Sequence, residues 1–327
     1  MCCKLLNIPW IYAYYFALPP NRISYLNDLN PGALEEMPES ISVISLKECN
    51  EVINKFKKRQ VKYQFTHFAN SLSLLKNFKS YSQNLSKRIA NKVEYNPYIW
   101  PTIKERIIDL AYRFKNRIKY PYKYLLQEYP KSKYIFFTLH MYPEATIDVY
   151  SPILNNQFAL LDQISKSIPC THKLVVKPHY LDPFSWRRRE IINLINNKNV
   201  FFCNYNLDSY ELIKNADLVL TIQGTSALEA SLLGIPSIMF GDSPFKVFST
   251  CKRSYKIENL NKMIVDSLKI KRPKPDEITY QFQKLLSRSE QVFDLIFDHE
   301  RELNKKEIIK WRNYLNQVII GQINSKK

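Results

Sequence analysis

Residues 217–241 read DLVLTIQGTSALEASLLGIPSIMFG, and the fold is decided in this stretch. DLVLTI is a short, fully apolar run, the pattern of a strand buried on both faces. Gln223-Gly224-Thr225-Ser226 then turns the chain into a helix predicted at 225–233, and SIMF at 237–240 is a second strand. The chain has five glycines, and three of them, Gly224, Gly234 and Gly241, fall here. A sequence so sparing with glycine uses it where the backbone demands it. Gly224 opens a strand-to-helix turn, Gly234 sits where a left-handed helix C-cap is wanted, and Gly241 ends the next strand.

The same alternation extends upstream. Strands are predicted at YIFFTL (134–139), KLVVK (173–177) and NVFFC (199–203). Helices are predicted at 148–168, 187–197 and 208–215, the last with Asp208 as N-cap. Short apolar strands alternating with helices mean βαβ units, right-handed crossovers and a parallel sheet. Nearer the start, 2–6 looks like a helix end, 7–9 a turn and 10–16 a strand. Residues 45–125 read mainly helical, at 46–58, 71–91 and 103–118. An α/β domain entered midway looks like this, so the N-terminal domain is expected to lack its first strands. The tail from Pro275 reads as helices, with apolar stripes at Phe282, Leu285 and Leu286 and again at Val292, Phe293, Leu295 and Ile296.

The 327 residues leave room for two domains, and an apolar fraction of 45% supports a real core. Lys and Arg outnumber Asp and Glu by 48 to 30, a net charge of +18. Such a balance attracts nucleic acid, nucleotide phosphates or an anionic membrane. The richness in Lys, Asn, Ile and Tyr also reads as compositional drift. No nucleic-acid motif is present, so nucleic acid is not an expected partner. The six cysteines form no C-x-x-C and have no His at zinc-site spacing, which suits reduced thiols and no metal. The apolar run 8–20 is too short for a membrane span and lacks the features of a signal peptide. The expected location is the cytoplasm, with peripheral contact at the inner membrane face allowed by the charge.

Three constellations carry chemistry. In the first, Gln223-Gly224-Thr225-Ser226 closes a strand and starts a helix, where free N–H groups and the helix dipole favour an anion. The hydroxyls of Thr225 and Ser226 can bind phosphate oxygens or simply cap the helix. Glu229, one turn on, can accept ribose hydroxyls or serve as a first-turn acid. In the second, Lys177-Pro178-His179 closes KLVVK. Lys177 offers a point charge for phosphate, and His179 can donate to phosphate or move a proton, unless both are merely solvated loop residues. The third follows the first strand of the sheet: His140-Met141-Tyr142-Pro143-Glu144. Glu144 can act as a general base or sugar anchor, or simply begin a helix, and His140 is a candidate sugar or acceptor contact.

The stretches FFTLHMYPEAT (136–146), LVVKPH (174–179) and 208–245 together resemble the capsule polysaccharide biosynthesis family, which includes β-Kdo transferases. The resemblance covers about a third of the chain. It implies a GT-B-like α/β fold: a Rossmann-like C-terminal domain with a parallel sheet, plus a partial, mostly helical N-terminal domain. The implied division is 1–130 as an incomplete acceptor-side domain, 131–270 as the nucleotide-sugar-binding domain, and 271–327 as helices packing back. In related CMP-sugar transferases a His-Pro pair and a Ser-Ser pair hold the nucleotide. By resemblance His179 takes the place of the His and Thr225-Ser226 that of the Ser pair. Tyr180 stands where Pro is usual, and Thr replaces the first Ser. Glu144 matches the family's Pro-Glu segment, so Glu144 and His179 are the expected catalytic pair.

The resemblance implies a glycosyltransferase of capsule or surface polysaccharide, moving a sugar such as Kdo from a nucleotide-activated donor to a glycan or glycolipid acceptor. The donor is a CMP- or UDP-linked co-substrate, with no other cofactor and no metal expected. CDP-polyol phosphotransferases and sugar-nucleotide epimerases share the scaffold and remain alternatives. So do an inactive remnant and a polyanion-binding protein.

Overall fold

The structure is a computed structural model. It describes residues 12–20, 22–26, 32, 34, 44–61, 103–141, 144–148, 151–180, 183–254, 257–291 and scattered positions between 308 and 320. The helix end at 2–6, the turn at 7–9, the helix at 71–91 and the stripe at 292–296 lie outside the described residues.

The N-terminal part supplies two antiparallel strands, β1 (Tyr12–Tyr15) and β2 (Arg22–Leu26), then helices α1 (Leu46–Lys57) and α2 (Ile103–Ile118). The start of α1 is set by its sequence. Ser45 Oγ accepts from the Glu48 backbone N–H at 3.2 Å, and the Glu48 carboxylate accepts from the Ser45 N–H at 2.9 Å. That reciprocal pair satisfies two N–H groups the helix leaves open.

A parallel sheet of six strands follows: β3 (Tyr134–Thr138), β4 (Lys173–Lys177), β5 (Val200–Phe202), β6 (Leu218–Thr221), β7 (Ser237–Met239) and β8 (Cys251–Arg253). The connections supply α3 (Ala145–Asp148), α4 (Gln157–Ser167), α5 (Arg188–Ile195), α6 (Ser209–Lys214) and α7 (Thr225–Leu232). After β8 come α8 (Leu260–Leu268), α9 (Pro275–Leu286) and a two-residue strand β9 (Glu290–Gln291), which pairs with β2.

The strand order is β5-β4-β3-β6-β7-β8. The chain winds outward from β3 to one edge, returns to β6 and winds to the other. Numbered from β3, this is the dinucleotide-binding order 3-2-1-4-5-6, whose winding reverses between β3 and β6. Both faces are covered, which explains strands that are apolar at every position. Ile135, Phe137, Leu174, Val176, Leu218 and Leu220 pack toward α4, α5 and α8. Tyr134, Phe136, Val175 and Val219 pack toward α6 and α7.

A third cluster joins the small sheet to the large one. It contains Ile23, Leu26, Ile53, Phe56, Leu228, Leu232 and the α9 residues Ile278, Phe282 and Leu286. Arg22 fastens the N-terminal sheet to the segment after α9: its Nε donates to Ser289 Oγ at 2.8 Å and its guanidinium to the Ser289 carbonyl at 2.6 Å. Among the described residues no helix is long and apolar enough to cross a membrane.

Two sequence expectations are corrected, the helix at 148–168 and the all-helical tail, since Glu290–Gln291 add a short strand beside β2. The helix predicted at 148–168 is interrupted: α3 ends at Asp148, a 3-10 turn spans Pro152–Leu154, and α4 begins only at Gln157. Pro152 has no N–H for the ladder, and Asn156 restarts the helix by accepting the Ala159 N–H at 3.1 Å. The sheet also has an edge strand that apolar patterning does not reveal, because β8 reads Cys-Lys-Arg. At Gly234 the expected left-handed cap is present, with φ at +70°.

Phe282 is fully buried between α1, the small sheet and α7. Phe282→Ala should cost about 3–5 kcal/mol in urea-denaturation stability. A loss below about 1 kcal/mol would show that α9 is not part of the cooperative core.

Candidate functional site

The carboxyl edge of the sheet is polar because three apolar strands end in a polar residue: β3 in Thr138, β4 in Lys177 and β6 in Thr221. Strand register aligns them. Thr138 pairs with Lys177 across β3–β4, and the preceding pair Phe137–Leu220 brings Thr138 beside Thr221. Val176 pairs with Phe202, so Cys203, just past β5, extends the row beyond Lys177. The row shares parity with Phe136, Val175 and Val219 and so lies on the α6–α7 side. It crosses the β3/β6 reversal, where ligands bind in open α/β sheets.

Lys177 is the charged member and is only 4% exposed. Among the described residues its ammonium makes no hydrogen bond or ion pair, while its backbone carbonyl accepts the Leu139 N–H at 2.9 Å. Burial pulls its ammonium below the usual lysine range, while the carboxylates of Asp208 and Glu229 favour the charged form more weakly. Burial also pushes the Cys203 thiol up to about 12, so Cys203 is present as a neutral thiol.

Beside this row the Gly224 turn leads into α7. Gly224 has an ordinary extended backbone, φ −85° and ψ 161°, so its requirement is space rather than handedness. A Cβ there would lie 2.8 Å from Thr221 Oγ1, 3.1 Å from Ser226 Oγ and 3.3 Å from His140 Cε1. The Gly224 N–H donates to Thr221 Oγ1 at 3.1 Å. The N–H groups of Thr225 and Ser226, the first two of α7, have no hydrogen-bond acceptor among the described residues. They are the groups that a helix N-terminus offers to an anion.

The nine residues singled out in the sequence gather unevenly. Thr225 is exposed at the turn. Ser226 is buried, its hydroxyl 2.9 Å from Thr138 Oγ1 and thus turned into the sheet. Gln223 braces the turn: its side-chain oxygen accepts from Ser151 Oγ at 3.2 Å, and its Nε2 donates to the Asp242 carbonyl. His140 lies beneath the turn, with the Gln223 N–H donating to its Nε2 at 3.4 Å. Glu144 Oε2 accepts the Met141 N–H at 3.1 Å and lies 3.4 Å from His140 Nδ1. Glu229 is half-buried on α7 within electrostatic reach of Lys177. His179, two residues past Lys177, stacks on Tyr180 with ring centroids 5.0 Å apart. Thr138 and Thr221 were not named from the sequence, though a hydroxyl closing an otherwise apolar strand marks both.

No family model matches the chain, and no curated protein matches it in sequence. Several solved structures are similar to it. One is the beta Kdo 2,7 transferase of Thermosulfurimonas dismutans KpsC, at 19% identity and TM-score 0.36 over 62% of this chain and 61% of that one. The beta Kdo 2,4 transferase of the same KpsC is similar at 11% identity and TM-score 0.42, over 90% and 77%. A Methanocaldococcus jannaschii UDP-GlcNAc 2-epimerase, in complex with UDP-GlcNAc and UDP, is similar at 21% identity and TM-score 0.33, over 51% and 46%. The chain thus spans 61% of the length of the first of these structures. Overlaps of this size say nothing of substrate.

The buried ammonium has a measurable consequence. The folded chain holds the Lys177 proton less tightly than the unfolded chain, whose lysine titrates near 10.5. In the window just below 10.5 the unfolded state therefore binds more protons, and stability contributed by this site rises with pH. The stability of wild type minus that of Lys177→Met, from urea denaturation at stepped pH, should become more favourable as pH approaches 10.5. A flat or falling difference would contradict the burial.

Proposed function

We propose that the chain is a glycosyltransferase that moves a sugar from a CMP- or UDP-linked donor to a glycan or glycolipid acceptor in surface-polysaccharide synthesis. The observation that carries this reading is the Lys177 ammonium, nearly buried and with no hydrogen bond or ion pair among the described residues, in the row where Thr138 meets the open N-terminus of α7. Glycosyl transfer from a nucleotide donor expels a phosphate whose negative charge grows in the transition state. A preorganised cation and fixed N–H groups in a dry site stabilise that charge. In this reading Lys177 and the Thr225 and Ser226 N–H groups seat the donor phosphates. Glu229, one turn into α7, takes the ribose hydroxyls, and His179 donates to the departing phosphate. Residues 131–270 form the donor-binding unit, and residues 1–130 face the acceptor. Lys177 carries the role that a metal takes in other transferases. Epimerisation or polyol-phosphate transfer would use the same phosphate seat, and analysis of the products separates them.

The test is a thermal-shift titration of wild type and Lys177→Met with CMP, CDP, UDP and their sugar conjugates. A ligand present at 100 times its Kd should stabilise the wild type by about 2.7 kcal/mol. Lys177→Met should remain folded, because it removes a largely desolvated charge that makes no hydrogen bond or ion pair among the described residues, yet lose the shift. No shift with any nucleotide from folded wild type would contradict the reading.

A further inference from the structure

Helices on a domain surface turn their apolar stripe toward the core and their charges toward water. Helix α2 (Ile103–Ile118) does the reverse. Its inward face is polar. Asn116 is buried, and its Nδ2 donates to the Phe184 carbonyl at 2.8 Å. The Tyr112 hydroxyl donates to the Ser185 carbonyl at 3.4 Å, and just past the helix the Lys119 carbonyl accepts from Arg188 at 3.3 Å. Phe114 and Ile118 each lie two residues from Asn116, a rotation of about 200° around the helix axis, so both point away from the domain. They are 65% and 68% exposed, and Ala111, one turn before Phe114, is exposed beside them.

Positive charge frames this stripe. Lys115 and Arg117, the immediate neighbours of Asn116, are each turned about 100° from it, one to each flank, and both are exposed. Lys119 follows, also exposed. From 110 to 127 the chain has five Lys and Arg and no Asp or Glu. Exposed tyrosines continue the surface beyond the helix at Tyr122 and Tyr124, with Lys123 Nζ 4.8 Å from the Tyr124 ring centroid. An apolar centre, basic flanks and tyrosines at the border are what a helix lying in the plane of a membrane interface presents.

We propose that the outward face of α2, centred on Phe114 and Ile118 and flanked by Lys115, Arg117 and Lys119, seats the protein on an anionic phospholipid surface. The apolar side chains enter the headgroup layer, and the cations meet lipid phosphates. The net charge of +18 acts in the same direction. A nucleic acid, whose phosphates dominate its contacts, is met by cations at the centre of a face rather than by Phe and Ile. A second copy of the chain docked face to face would bring two basic rims together, and like charges repel. The seat is anchored at the carboxyl edge of the large sheet. Phe184 and Ser185 lie in the loop between the end of β4 and the start of α5, and beyond α2 the Leu126 N–H donates to the Phe202 carbonyl at 2.9 Å, beside Cys203. The seat does not depend on the donor reading of the site.

The test is co-sedimentation of the full chain with vesicles of phosphatidylcholine alone and of phosphatidylcholine and phosphatidylglycerol in equal parts, with melting temperatures measured in parallel. Wild type should bind the anionic vesicles, bind the neutral ones far less, and lose affinity as salt rises. Phe114→Ser combined with Ile118→Ser should weaken binding to anionic vesicles by at least about tenfold. Lys115→Gln combined with Lys119→Gln should weaken it by roughly fivefold for each cation removed. Both variants should melt with wild type, because all four side chains are exposed. Absence of wild-type binding to anionic vesicles overturns the proposal. Undiminished binding by the Phe114 and Ile118 variant also overturns it, since the contact is then general charge attraction. A lower melting temperature of that variant assigns the face to another segment of this chain. Wild-type dimerisation in sedimentation velocity that the same variant abolishes assigns it to a second copy. Either result overturns the membrane seat, and the nucleotide thermal shift stands or falls separately.

Discussion

An ammonium group removed from water costs free energy unless something negative meets it, and packing does not repay that cost. Lys177, 4% exposed, approaches that case. It closes an apolar strand in the middle of a parallel sheet, beside a thiol that burial keeps neutral and a threonine whose hydroxyl is engaged elsewhere. The nearby carboxylates of Asp208 and Glu229 act on it only through space. The site therefore gains from a closer negative charge than these carboxylates provide. It lies where the sheet's winding reverses and where a helix presents two open N–H groups. Strand order, the polar row and the glycine turn all converge on that place.

The turn is held by crowding as much as by hydrogen bonds. Gly224 lacks room for a methyl group, with Thr221, Ser226 and His140 pressed against it, and a Cβ on Gly241 would overlap Ser151 Oγ. Gln223 spans the gap between Ser151 and the Asp242 carbonyl. Such bracing limits reorganisation when charge develops at the turn, which is the condition for electrostatic stabilisation to be effective.

Much of the fold was legible because strands buried on both faces are apolar at every position. YIFFT, KLVVK and LVLT leave no other reading once helices separate them. The edge strand Cys251–Arg253 was not legible, since an edge position does not require apolar residues. Nor was the closure of Arg22 onto Ser289, a contact between residues far apart in sequence with no periodic trace. In the site, composition at strand ends identified Lys177, and glycine scarcity identified the turn. The roles within the turn were less visible. The sequence does not show that the Ser226 hydroxyl lies 2.9 Å from Thr138 Oγ1 or that Gln223 braces the turn through Ser151 and the Asp242 carbonyl. Side-chain direction at a helix start depends on which partner the neighbouring strand offers, and Thr138 is 88 positions away from Ser226.

The most direct test of the central claim is a crystal structure of the chain with a nucleoside diphosphate bound. The account places a phosphate oxygen within hydrogen-bonding distance of the Thr225 and Ser226 N–H groups, and another against Lys177 Nζ. A nucleotide seated away from the β3/β6 edge, or one that leaves Lys177 untouched, would contradict it.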